Sequence, residues 1–106
     1  RIPQAALRIL VADDNVDAAQ SLATLLRLQG HDVAVARDGR EALEQAEASR
    51  PHIVFMDLGM PRMSGLDAAR RMRLRATTRD ALIVALTGWG QPADRARSRE
   101  AGIDLH

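Results

Sequence analysis

Oxygen-bearing side chains stand directly behind three apolar runs of this 106-residue chain. Asp13 and Asp14 follow "ILVA" (Ile9–Ala12), Asp57 follows "IVFM" (Ile53–Met56), and Thr87 follows "LIVAL" (Leu82–Leu86). If strand ends bring the three acids together, they repel: two unit charges ~4 Å apart interact by roughly 4 kcal/mol at an effective dielectric of 20. A proton or a cation must relieve that repulsion. Oxygen donors with no neighbouring His or Cys favour a hard divalent ion, Mg²⁺ first among them. A cation held by carboxylates beside a hydroxyl is equipped for phosphate. Thr87 can donate to a phosphoryl oxygen, and an aspartate can itself attack phosphorus to form an acyl phosphate. Asp57 is placed for that role, because "LGMPRM" separates it from the next helix start at Ser64 and leaves it no helix to cap. Asp14 or Asn15 can instead cap the first helix. Thr87 taken alone is an ordinary loop threonine, so the weight rests on the joint pattern.

The elements that must hold these residues follow from periodicity. The three runs above and "VAVA" (Val33–Ala36) are short, apolar and rich in β-branched residues, as buried strands are. A further run, "IDLH", begins at Ile103. Between them the pattern turns helical. Val16, Ala19, Leu22, Ala23 and Leu26 share one face of a helix over 16–29, closed by Gly30 at the C′ position. "DGRE" (Asp38–Glu41) and "SGLD" (Ser64–Asp67) read as capping boxes opening the next two helices, the second stopping before Pro51 and the third running to about Arg75. A fourth helix has Pro92 near its first turn and ends near Gly102. The order β-α-β-α-β-α-β-α-β predicts an α/β fold: one doubly wound five-stranded parallel sheet with helices on both faces. In the flavodoxin-like order 2-1-3-4-5, strands one, three and four are neighbours ~4.8 Å apart. Ligands bind outside the carboxyl ends of such strands, where Asp13, Asp14, Asp57 and Thr87 fall.

Composition narrows the classes. The length is that of one domain, read as a short lead-in or linker over 1–6 and the domain proper over 7–106. There is no cysteine, which excludes a disulfide framework and a thiolate metal site and fits a reducing, cytoplasmic setting. No apolar stretch approaches the ~20 residues that span a bilayer, and the first residues do not read as a signal peptide. Net charge is +1, and all 15 basic residues are Arg. Arg70, Arg71, Arg73 and Arg75 on the third helix, with Arg95, Arg97 and Arg99 on the fourth, read as solvated faces. With no aromatic platform beside them they do not imply nucleic acid. His31 and His52 have no metal-ligand spacing and receive no role.

The motifs resemble the receiver domain of two-component response regulators. "ILVADDN" is similar to that family's first strand and acidic pair, and "VFMDLGMPRMSGLD" to its phosphoacceptor strand and following loop. "VALTGWG" is similar to its strand-four threonine and "AGIDLH" to its approach to strand five. The match runs from Leu7 onward. It implies that Asp57 accepts a phosphoryl group from a phosphohistidine on a histidine kinase or phosphotransfer domain. It also implies that Asp14 ligates Mg²⁺ directly, Asp13 mostly through water, and the Gly59 carbonyl as a further ligand. Thr87 would contact the phosphoryl group and shift with it, and His106 stands at the family's aromatic switch position. The lysine that the family carries two or three residues past that position is not reached, and neither is the last helix. A degenerate receiver would show this, but the expected reading is a piece cut from a longer hybrid kinase or response regulator that also carries the kinase or output domain.

Gly59 and Trp89 lie two residues past Asp57 and Thr87. A glycine offers no side chain to position an attacking water and the indole can shield the site, so slow self-dephosphorylation is expected. Two other classes stand beside the signalling receiver. An aspartyl-phosphate phosphatase would need a second aspartate as general acid where this chain has Gly59. An interaction module that is never phosphorylated would fail to label with a phosphodonor.

Overall fold

Among the described residues, four parallel strands are hydrogen-bonded in the order β2-β1-β3-β4. They are β1 (Arg8–Ala12), β2 (Asp32–Ala36), β3 (Ile53–Met56) and β4 (Leu82–Ala85). A computed structural model describes residues 5–86 and 92–106, the side chains of 92–95 excepted. Helices α1 (Val16–Leu28), α2 (Gly39–Ser49), α3 (Gly65–Arg73) and α4 (Pro92–Ala101) alternate with the strands. The expected fifth strand is reduced to one parallel bridge between Leu105 and Val84. Among the described residues, Asp104 and Leu105 reach the β4 edge with main-chain bonds, through Asp104 N to Ile83 O (2.8 Å), Leu105 N to Ile83 O (3.2 Å) and Ala85 N to Leu105 O (2.7 Å). A strand needs a longer ladder than that.

Side chains alternate across each strand and both faces are covered, which is why the runs carry no polar alternation. Leu10, Ala12, Val54, Met56, Ile83 and Ala85 face one core, closed by Ala42, Leu43 and Ala46 of α2 and Leu66, Ala69 and Met72 of α3. Ile9, Val11 and Val33 face the other, closed by Ala19 and Ala23 of α1. The small alanines let the helices approach closely.

The helix ends follow the sequence signals with small differences. Asn15 caps α1, its side chain accepting from Ala18 N (3.1 Å). At the far end Gly30 adopts φ 95°, and the Gly30 and His31 amides bond to the Arg27 and Leu26 carbonyls, a Schellman closure. Asp38 caps α2 through Glu41 N (2.8 Å), but Glu41 reaches back to the amide of Arg37, one residue before the cap. Ser64 caps α3 through Asp67 N (3.2 Å), while the Asp67 carboxylate pairs forward with Arg70 (2.9 Å).

His31 and His52 hold the start of β1. Nδ1 of His31 accepts from the Leu7 amide (3.2 Å) and Nδ1 of His52 from the Arg8 amide (2.9 Å). Each ring stands just before a strand flanking β1 and satisfies a main-chain donor there.

The arginines expected on the third helix divide, and α3 ends at Arg73, before Arg75. Arg70, Arg71 and Arg75 are exposed, as are Arg97 and Arg99 of α4. Arg73 is not part of a solvated face. Its guanidinium donates to the carbonyls of Gly102 (2.6 and 3.0 Å), Ala81 (2.6 Å) and Arg79 (2.7 Å), and to the carboxylate of Asp104 (2.7 Å). Its position at the end of α3 turns it toward α4 and the β4 edge, a direction that spacing alone did not reveal.

Candidate functional site

Register builds the acidic centre. Ala12 and Met56 are paired across β1 and β3, so the next residues, Asp13 and Asp57, leave the sheet side by side. The ladder continues one step beyond the strands: Asp13 N bonds to Ala36 O (3.0 Å) and Asp57 N to Ala12 O (2.8 Å). The main chain thus fixes both acids before their side chains make any contact. Asp14 follows, freed from capping because Asn15 takes that role. Asp13 Oδ1 in turn accepts from the Asn15 amide (2.9 Å).

One carboxylate oxygen from each of Asp13, Asp14 and Asp57 lies within 4.8 Å of the others. Asp57 is buried at the floor, Asp13 is half-buried and Asp14 is exposed at the mouth. Burial pushes the Asp13 carboxyl above its ordinary range, the Asn15 amide pulls it back, and the nearby charges of Asp57 and Asp14 push it up again. The cluster therefore takes up positive charge readily, as a proton or as a metal ion. The donor set, three hard oxygens at graded depths, fits Mg²⁺.

The loop after β3 completes the floor. The Gly59 amide donates to Asp57 Oδ1 (3.2 Å). A β-carbon on Gly59 would meet no atom within 4 Å, so the position faces open space. Gly65 is different. Its amide bonds to Leu58 O (3.1 Å), and a β-carbon there would collide with the Asp57 carbonyl oxygen and lie 2.8 Å from Met56 Cγ. The first turn of α3 is pressed against the backbone that carries Asp57, and only glycine fits. "SGLD" marks the helix start, but the tight contact of Gly65 with Asp57 leaves no signal in it.

Asp13, Asp14, Asp57 and Gly59 are thus brought together. Thr87 and Trp89 lie outside the described residues. His106 is exposed and follows the bridging Leu105, away from the acidic cluster in sequence and beside the β4 edge.

Comparison with known proteins gives a consistent picture. The response regulator receiver domain family matches residues 9–106. Response regulator MprA of Mycolicibacterium vanbaalenii is 40% identical over 98 residues, 92% of this chain and 42% of that protein. The chain spans less than half the length of the curated relatives it matches. Among solved structures, chemotaxis protein CheY4 of Vibrio cholerae superposes with a TM-score of 0.89 at 28% identity, covering 95% of this chain and 84% of that one. The receiver domain of sensor histidine kinase PA1611 of Pseudomonas aeruginosa, which has a magnesium ion coordinated in its active site cleft, gives 0.84 at 31%, covering 95% and 83%. A response regulator from Burkholderia pseudomallei with a phosphorylated aspartic acid and a calcium ion gives 0.84 at 31%, covering 93% and 57%.

Proposed function

The chain belongs to the response regulator receiver domain family, a signalling module of two-component systems, and from that premise we propose that Asp57 is its phosphoacceptor. The observation that carries the reading is the convergence of Asp13, Asp14 and Asp57 within 4.8 Å at the ends of adjacent strands. A carboxylate oxygen of Asp57 attacks the phosphorus of a phosphohistidine, the P–N bond breaks, and the imidazole leaves with its electron pair, later taking a proton. The phosphoryl group is then an acyl phosphate on Asp57.

Asp13, Asp14, Asp57 and the Gly59 carbonyl would hold Mg²⁺, which would supply charge neutralisation to the phosphoryl oxygens. The side chains do the rest. Gly59 N–H holds one Asp57 oxygen and so orients the other. The buried floor strips water from the nucleophile. Thr87 contacts the phosphoryl group, and His106 moves with it beside the β4 edge, biasing a two-state equilibrium. Gly59 positions no water and Trp89 shields the approach, so hydrolysis of the acyl phosphate is slow. The module catalyses only its own phosphorylation and dephosphorylation. It works in the cytoplasm as the receiver portion, residues 7–106, of a longer hybrid kinase or response regulator. Its partners are a histidine kinase or phosphotransfer domain and the attached kinase or output domain.

The test is labelling by a small acyl-phosphate donor. One phosphoryl group per chain is expected with Mg²⁺, none with excess chelator and none in Asp57→Ala. Undiminished labelling of Asp57→Ala would overturn the assignment. A label that decays as fast as a free acyl phosphate would remove the role given to Gly59 and Trp89.

A further inference from the structure

The loop from Asp57 to Ser64 carries Gly59 and is held at two ends. At the near end, Gly65 N bonds to Leu58 O (3.1 Å). At the far end, Met63 O accepts from Gly39 N (3.0 Å), the first residue of α2. The contact is close enough that a β-carbon on Gly39 would lie 2.9 Å from Met63 Cβ and nearer still to the Met63 carbonyl. Between these anchors Arg62 adopts φ 66°, a left-handed conformation that non-glycine residues rarely take.

Asp38 stands over the far anchor, 8% exposed. One of its oxygens caps α2 through Glu41 N (2.8 Å). Capping needs only that one acceptor, and a neutral Asn or Ser would serve. The second oxygen faces Nε of Arg62 at 3.7 Å. The Arg62 side chain is 73% exposed, so this pair adds little to global stability. It links Asp38 to a left-handed residue three positions after Gly59.

We propose that Asp38 is a positioning residue for the acidic centre, acting through Arg62 and the Gly39–Met63 contact to hold Gly59 over Asp57. The proposal rests on the cation-binding reading given above. A site of this kind needs its groups held within about 0.5 Å. The near anchor constrains the Asp57 side of the loop and the α2 anchor constrains its return. A residue capping α2, outside the acid cluster, then tunes the Gly59 amide and carbonyl.

Two variants test it. Asp38→Asn keeps the cap and removes the charge. Arg62→Gly removes the guanidinium and relieves the backbone. Three quantities are read in each: Mg²⁺ affinity by calorimetry, hydrogen exchange of the Gly59 amide in metal-free protein by NMR, and the thermal midpoint. Both variants should weaken Mg²⁺ binding by about tenfold, the range seen when groups behind a metal site are removed. Gly59 exchange should accelerate in both, the midpoint should move by less than about 2 °C, and the double variant should be no worse than either single one. Wild-type affinity with an unchanged Gly59 amide in both variants would overturn the proposal, as would losses that multiply in the double variant. A loss in Asp38→Asn alone, with a lowered midpoint, would make Asp38 a cap and nothing more. If the wild-type chain itself fails to bind Mg²⁺, the cation-binding reading falls instead, and the metal-free Gly59 exchange still decides for or against Asp38.

Discussion

Arg73 donates to the Asp104 carboxylate at 2.7 Å, and the same Asp104 oxygen accepts from the Ile83 amide at 2.8 Å. The end of α3, the turn after α4 and the β4 edge are thereby tied at one atom. Three carbonyls, of Gly102, Ala81 and Arg79, depend on the same guanidinium.

Removing this clamp should be costly. Arg73→Ala leaves half-buried acceptors without a donor and is expected to destabilise by about 2–4 kcal/mol. Arg73→Lys should recover only a small part, because an ammonium cannot span carbonyls on three segments. Urea unfolding of the three proteins reads the difference. Equal midpoints for Arg73→Ala and wild type would show the clamp to be inert.

The raised Asp13 carboxyl sets a pH dependence. Burial is its main cause, with the Asp57 charge acting in the same direction. The folded state then binds the proton more tightly than the unfolded chain, whose group titrates near 3.8. Between that value and the raised folded one, this group makes stability fall as pH rises. Metal-free protein should therefore gain stability as pH drops from neutrality into this window, and Asp13→Asn should flatten that slope. Saturating Mg²⁺ at neutral pH should supply the same relief, about 2.7 kcal/mol at a hundred times its dissociation constant. Thermal midpoints against pH, with and without Mg²⁺, check both.

Two glycines near Asp57 should respond oppositely to the same change. Gly65→Ala forces a methyl group against the Asp57 carbonyl and Met56, and should cost about 1–3 kcal/mol. It should also slow labelling by displacing the acceptor. Gly59→Ala meets open space and should stay within about 0.5 kcal/mol of wild type. Denaturant midpoints of the pair decide the matter.

Neighbouring residues at the start of α1 divide two tasks. Asn15→Ala removes the cap on Ala18 N and should cost about 1 kcal/mol while leaving cation affinity nearly intact. Asp14→Ala should do the reverse, with no loss of metal-free stability and a large fall in Mg²⁺ affinity. Calorimetric titration beside chemical unfolding separates them, and a matched stability loss in Asp14→Ala would show that it shares the capping.

The alternation of elements, the parallel order β2-β1-β3-β4 and most helix starts were legible along the chain, because they rest on local physics. Apolar runs of strand length, helical spacing of Leu and Ala, and Asn15, Asp38 and Ser64 before helices all act within a few residues. The meeting of Asp13 with Asp57 was legible for a related reason: once strands one and three are neighbours, whatever follows each strand must be adjacent. Direction and close approach were not legible. Arg73 reads as one more surface arginine, yet it faces inward because α3 ends against α4 and the β4 edge. Nothing in "SGLD" says that Gly65 lies on the Asp57 carbonyl, nor in "RDGR" that Gly39 lies on Met63. The run from Ile103, read as the start of a fifth strand, contributes one bridge at Leu105 among the described residues. Spacing along the chain fixes which residues share an element, while the rotation and separation of packed elements come only from how whole faces fit together.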